Sequence, residues 1–340
     1  MNKRPFISVI VPVFNGGKFL HQCLDAIVAS SYQFSELIVV DDGSTDDSAE
    51  VGRQKDALVL HTPHRQSGPA AARNHGSQQA RGDVLFFVDA DVVVQRETMS
   101  RVAAHFQDNH DLAALFGSYD DAPAEKNFLS QYKNLQHHFV HQQSSSDAVT
   151  FWAGCGAIRR DVFNAVGGYD DRHYPKPSIE DIELGYRMRS AGHRILLDRE
   201  LQVKHLKQWK LGSLLRADIL YRAVPWSQLI LKRQGMVNDL NLKTSDRVSA
   251  ALTGLALVAL LLSLYKPQLL IPVPFFLVTI FILNRGLYGF FFQKRGLLFT
   301  ALTFLMQLLY YFYSGVTFVL CWCWHTFSGR RLELRRDHSQ

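Results

Sequence analysis

The sequence predicts a mostly parallel α/β domain followed by α-helices that lie in, and then cross, a membrane. Three features predict it. Short β-branched runs alternate with helical stretches near the N-terminus, polar motifs sit where those runs end, and long uncharged apolar stretches fill the C-terminal part.

The run Ile7-Ser8-Val9-Ile10-Val11-Pro12 is short, β-branched and stopped by proline, as a buried strand is, and Leu37 to Val40 and Val84 to Val88 repeat the pattern. Helical stretches at Lys18 to Ser30, Asp46 to Gln54 and Pro69 to Arg81 lie between them. This alternation predicts a parallel sheet with helices on its faces and ligands at the carboxyl ends of its strands. Residues 120–150, rich in Gln, His and Ser, read as a helix with a long surface connection outside the core, and their histidines carry no expected function. Beyond them, Gly154 to Gly156 and Gly167-Gly168 bracket short elements, and Asp181 to Ala191 has helical spacing with Leu184 and Met188 on one face.

Charge divides the chain. Residues 1–203 carry 20 Lys and Arg against 26 Asp and Glu, residues 204–247 carry nine against three, and residues 248–340 carry eight against two. The positive charge therefore clusters beside apolar runs, where attraction to anionic lipid headgroups accounts for it, and nucleic-acid binding is not expected. Trp209, Leu214, Leu215, Ile219, Trp226 and Leu229 alternate with Lys207, Lys210, Arg216, Arg222, Lys232 and Arg233, a mixture that fits helices in a membrane interface or ordinary packing helices. Val248 to Tyr265 and Leu297 to Trp324 have spanning length, and Gln268 to Leu283 is shorter and broken by Pro272 and Pro274. Arg285, Lys294 and Arg295 suit the cytosol, as does the basic tail at Arg330, Arg331, Arg335 and Arg336, so one segment is expected to be re-entrant. Cys23, Cys155, Cys321 and Cys323 show no metal-type spacing, which fits a reducing compartment, and the N-terminus does not resemble a secretory signal. The expected organisation is a catalytic domain over 1–205, interfacial helices over 206–247, transmembrane or re-entrant helices over 248–325 and a basic tail over 326–340. The expected location is the cell's inner or plasma membrane, with the first domain cytosolic.

Asp89-Ala90-Asp91 follows a five-residue apolar strand, so its carboxylates emerge together at a strand end, able to share a cation or a ribose; alone, they fit a capped turn as well. Asp41-Asp42-Gly43-Ser44-Thr45-Asp46 closes the strand before it, with Ser44 and Asp46 suited to cap the next helix and Asp41 and Asp42 suited to accept from a base or ribose. Pro12-Val13-Phe14-Asn15 ends the first strand in the same layer, where Phe14 either stacks on a base or joins the core. In Gly68-Pro69-Ala70-Ala71-Ala72-Arg73-Asn74, proline opens a helix and Arg73 reaches either a phosphate or Asp41 or Asp42.

Taken in order, Val9 to Asn15, Asp41 to Ser44, Ala72 to Asn74, Asp89 to Asp91, Gly167 to Asp170 and Glu180-Asp181 resemble the motifs of family 2 glycosyltransferases of GT-A fold, across roughly the first 205 residues. That resemblance implies a nucleotide-sugar site in which Asp42 contacts the base, Pro12, Phe14 and Asn15 line it, and Arg73 lies near. It also implies that Asp89 faces the ribose, that Asp91 holds a divalent metal (Mg or Mn), and that Asp181 is the general base. His205 resembles a position that completes the metal shell, and Trp152, Gly154 and Glu180 fall on the acceptor side. A carboxylate is needed because a hydroxyl is a poor nucleophile, and a Lewis acid because the leaving diphosphate carries charge. Glu180 and Asp181 also fit acids favoured at a helix N-terminus.

The implied activity is inverting, metal-dependent transfer of one sugar from a nucleotide sugar to a lipid-linked or membrane-proximal acceptor, in cell-envelope polysaccharide or glycolipid synthesis. Two alternatives compete. A processive polysaccharide synthase of this family would carry a Gln-x-x-Arg-Trp motif, of which Arg222 to Trp226 is only a loose echo. A nucleotide-sugar-binding membrane scaffold without turnover would be expected to lose the acids, yet Asp42, Asp89, Asp91 and Asp181 are all present. A nucleotidyltransferase would need a longer glycine-rich turn than Asn15-Gly16-Gly17.

Overall fold

The computed structural model describes residues 4–233 and 243–327. They form two compact units that divide between Lys210 and Leu211.

The first unit is built on nine strands, β1 (Ile7–Val13), β2 (Ser35–Asp41), β3 (Leu58–His61), β4 (Val84–Val88), β5 (Val92–Val93), β6 (Leu112–Tyr119), β7 (Asp147–Ala148), β8 (Cys155–Arg159) and β9 (Arg194–His205). Their order is β3-β2-β1-β4-β8-β6-β9-β5, with β7 also on β9. The β3-β2-β1-β4 half is parallel, as alternating strand and helix requires. Antiparallel β8 then joins β4 to β6, and β6 and β9 run parallel beyond it. The sheet is therefore mixed. β1 and β4 are buried almost throughout, which explains their continuous apolar runs: Val9, Val11 and Val13 face one core layer while Ile10 faces the other.

Helices α1 (Gly17–Val28), α2 (Ser48–Gln54), α3 (Pro69–Gln79), α4 (Thr98–Asp108), α5 (Phe128–Gln143), α6 (Arg160–Ala165) and α7 (Glu180–Ser190) complete this unit. Residues 120–150 depart from the surface reading. In α5, Tyr132, Leu135, His138 and His141 are buried, and its polar side chains are accommodated by backbone carbonyls of β6 and of the residues that follow it. His138 and His141 donate from Nδ1 to the Tyr119 and Gly117 carbonyls at 2.8 and 3.1 Å, and the Asn134 amide donates to that of Asp120 at 2.8 Å. Burial pushes His141 down to about 4, so it stays neutral. The helix expected from Asp46 starts at Ser48, because Asp46 turns back to accept from the Gly17 amide and from Ser48. Ser44 does not cap that helix either; its hydroxyl accepts the Asn15 amide.

The second unit is helical: Leu211–Arg216, a π-helical turn Ala217–Ala223, Val224–Arg233, Thr244–Leu262, Pro272–Leu283 and Arg285–Phe327, the last broken at Gly296, whose φ of 80° only glycine adopts readily. Thr244–Leu262 and Arg285–Phe327 are long and apolar enough to cross a membrane. Leu261, Leu264, Leu298 and Phe275 are more than half exposed, a surface suited to lipid. Several polar groups inside this unit pair with one another: Asn284 bonds Ser249 and Tyr311, and Tyr313 donates to Asp218. Trp209, grouped with the interfacial residues from sequence, instead belongs to the first unit, where it is buried, its amide donating to Ser130 and Lys207 lying over its ring. The basic tail at Arg330 to Arg336 lies outside the described residues.

Candidate functional site

Parallel pairing collects the motifs at one sheet edge. Val13 of β1 is in register with Asp41 of β2, β4 ends immediately before Asp89, and antiparallel β8 brings Cys155 opposite Val88, so Trp152 to Gly154 arrive at the same edge. β9 ends there too, with His205 opposite Val92.

On the β1-β2 side, Asn15 sits at φ 49° and accepts from the Thr45 amide and hydroxyl, tying its turn to the Asp41–Asp46 loop. Phe14 is 44% exposed, which leaves its ring face open and excludes it from the core. Asp42 is buried and accepts three bonds from its own chain, from Thr62 and the Ser67 amide on Oδ1 and from the Gly68 amide on Oδ2. Oδ1 is thereby filled, and Oδ2 keeps one lone pair. Pro12 lies beneath this loop, opposite Val40.

Arg73 of α3 is the hub of the centre. It pairs with Asp89 at 2.7 Å and Glu180 at 3.0 Å, not with Asp41 or Asp42, and its guanidinium lies over the Tyr169 ring. Burial opposes its charge, but Asp89, Glu180 and Asp181 more than offset that. Glu180, expected on the acceptor side, turns inward: it is 5% exposed, bound to Arg73, and accepts the Ser178 amide at 2.8 Å. Asn74, next on α3, fixes Tyr169 by donating to its carbonyl and accepting its amide, so the Gly167-Gly168 turn docks on that helix. Sequence reasoning gave Tyr169 no role; its place after two glycines, both at positive φ here, was the available signal.

Asp181, on the first turn of α7, accepts from the Ala153 amide at 3.2 Å and the Ile182 amide at 2.8 Å. Gly154, the next residue after Ala153, accepts the Asp89 amide at 3.3 Å. One short segment thus ties Asp181 to the Asp89–Asp91 turn. Burial first, then the Glu180 charge, pushes Asp181 up to about 7, against the opposing pull of Arg73 and the two amides. Gly154 must lack a side chain, since a Cβ would lie 2.4 Å from the Trp152 ring.

Asp91 Oδ2 and His205 Nε2 are 3.5 Å apart. That is near the roughly 3 Å between neighbouring ligands held about 2.1 Å from one octahedral ion, so an O/N pair at this spacing fits Mg or Mn. Among the described residues no three His, Cys, Asp or Glu side chains converge, so other ligands would come from substrate and water. Burial pushes Asp91 up, but the hydrogen bond with His205 and the charge of Lys207 hold it below the usual carboxylate range, in the ionised form a cation needs. Lys207 was missed as a neighbour of Asp91; the Leu206 amide, which donates to the Asp91 carbonyl at 2.8 Å, brings it there.

Residues 8–167 match the family model described as glycosyl transferase family 2. An uncharacterized glycosyltransferase of Haemophilus influenzae is 38% identical over 128 residues, 36% of this chain and 50% of that protein. Glycosyltransferase GlyG of Streptococcus pneumoniae is 36% identical over 118 residues, 33% of this chain and 38% of that protein. The chain thus matches half the length, or less, of these curated relatives. Among solved structures, the mannosyltransferase PcManGT of Pyrobaculum calidifontis, in complex with GDP-Man and Mn2+, aligns with a TM-score of 0.55 at 16% identity over 96% of this chain and 89% of that one, a likeness of fold.

Proposed function

We propose that the chain, whose residues 8–167 match the family 2 glycosyltransferase model, transfers a single sugar from a nucleotide sugar to a lipid-linked or membrane-proximal acceptor hydroxyl, with inversion and with a divalent metal. The observation that carries this reading is Asp181, poised near neutrality and bonded by the Ala153–Gly154 segment that also holds the Asp89–Asp91 turn. Ionised, it accepts the acceptor's proton as the hydroxyl oxygen bonds to the anomeric carbon. The bond from that carbon to the diphosphate oxygen breaks on the opposite side, which inverts the centre. Asp91 and His205 would hold the Mg or Mn, whose chemistry is to neutralise charge on the leaving diphosphate. Phe14 and the free lone pair of Asp42 face the base, and Asp89, fixed by Arg73, faces the ribose.

The long apolar helices from Thr244 onward favour an acceptor at a membrane and a place in cell-envelope glycolipid or polysaccharide synthesis. The test is to incubate full-length protein in detergent with UDP- and GDP-sugars and a lipid extract, with Mn2+ or with chelator. Metal-dependent transfer is expected. Binding without any turnover would favour the scaffold reading instead.

Asp91→Ala is expected to weaken metal-dependent donor binding by roughly tenfold or more, since it removes the charged ligand. Titration calorimetry with and without Mn2+ checks this, and an unchanged metal-dependent affinity would count against the site. The rate should rise with pH and level off above about 7, because Asp181 acts as a base only when deprotonated and its carboxyl is held up to about 7. A kcat/KM profile flat across that region would remove Asp181 as the base.

A further inference from the structure

We propose that Tyr119 is a positioning residue for His205, and that α5 is the platform that holds it. The inference rests on the reading of His205 as a metal ligand. Tyr119 ends β6 and lies in parallel register with Val203 of β9. His205 lies two residues beyond Val203, so the two rings project from the same sheet face on neighbouring strands. Their planes are 10° apart with centroids separated by 4.1 Å. A ring stacked in this way resists rotation about χ2, the torsion that decides whether Nε2 meets Asp91.

Tyr119 is itself held from several directions. His137 packs on it with centroids 4.3 Å apart, and Trp152 meets it edge-on at 4.9 Å. His137 also contacts Trp152 and, one turn along α5, His141. The backbone under the ring is pinned by the same helix, through the bonds from His138 to the Tyr119 carbonyl, His141 to that of Gly117 and Asn134 to that of Asp120. The support continues onto β9, where Lys204 bonds the Asp120 carboxylate at 2.9 Å and the Asp120 amide donates to the Val203 carbonyl at 2.8 Å. The strand end needs such support because β6 and β9 slip register between Phe116 and Ser118. Gly117 permits that close approach, since a Cβ there would lie 2.0 Å from the Leu201 carbonyl oxygen.

Metal-ligating histidines are commonly oriented by groups around them, whose loss costs about 10–100-fold in metal affinity. Here the orienting group is an aromatic face, and its support comes from the helix whose histidines looked functionless in the sequence. The stack also joins the metal side to Trp152 on the expected acceptor side.

The test is Mn2+ alone, titrated into full-length protein in detergent and followed by electron paramagnetic resonance, with the imidazole nitrogen coupling read on bound Mn2+. Tyr119→Phe keeps the ring and should keep both affinity and coupling. Tyr119→Leu keeps bulk without a ring plane and should lose about tenfold in affinity and most of the nitrogen coupling. Combined with His205→Ala it should lose little further, because both changes act through one imidazole. Tyr119→Met, a second side chain of bulk without a ring plane, gives the same reading if the leucine variant is unstable. Tyr119→Leu with wild-type affinity and coupling would overturn the positioning role while leaving His205 as a ligand. No nitrogen coupling in the wild type would instead remove His205 from the metal, and this inference with it.

Discussion

Asp181→Asn is expected to lower transfer by roughly 10²–10⁴-fold while leaving nucleotide affinity nearly unchanged, because it removes the proton acceptor and leaves the donor side intact. It should also make the protein more stable at alkaline pH. The carboxyl is raised in the folded state to about 7, so between its ordinary value near 4 and about 7 the folded chain binds more protons than the unfolded one. Stability therefore falls as pH rises through that window, and above it the wild type carries a penalty that the neutral amide lacks. The variant should melt several degrees above the wild type near pH 8 and close to it near pH 4. Calorimetric melts at both pH values, paired with single-turnover assays, check the two expectations together. Near-normal turnover would refute the base assignment; a variant that melts lower at pH 8 would refute the burial penalty.

The strand pattern was legible because each strand's burial leaves a mark on its own residues. Val84 to Val88 is apolar throughout since both faces are covered, and the acids that follow it had to fall at the strand end. What was not legible was contact between distant segments. Glu180 and Asp181 are adjacent and chemically alike, yet one turns inward to Arg73 and the other to the Ala153 amide, and only the arrival of α3 beside α7 separates them. The α5 histidines misled for a related reason: a polar residue looks like surface until the strand carbonyl it meets is known. Ser44 had the right composition for capping but found its partner in the β1–α1 turn, and Asp46 divides its bonds between Gly17 of that turn and Ser48 at the start of α2.

Arg73→Met is expected to cost about 3–5 kcal/mol in stability and most of the activity, since it strands buried Glu180 and frees Asp89. Arg73→Lys separates charge from geometry. A single ammonium has no planar fork with which to hold Asp89 at 2.7 Å and Glu180 at 3.0 Å simultaneously, so the lysine variant should fold while losing roughly 10²-fold in kcat/KM. The pH profile then distinguishes a bridge from a mere brace. Arg73 holds the Asp181 carboxyl down, so its removal lets burial and Glu180 raise that carboxyl further, and the rising limb should move above about 7 in Arg73→Met. Lysine, still charged, should leave the limb near its wild-type position. Adding Glu180→Gln to Arg73→Met removes the stranded charge and should restore part of the lost stability without restoring the rate, because Asp89 stays unanchored. Thermal melts and pH–rate profiles of the four proteins provide the measurement. An Arg73→Met protein as stable as the wild type, with its limb unmoved, would show that the guanidinium does not join the donor side to the base.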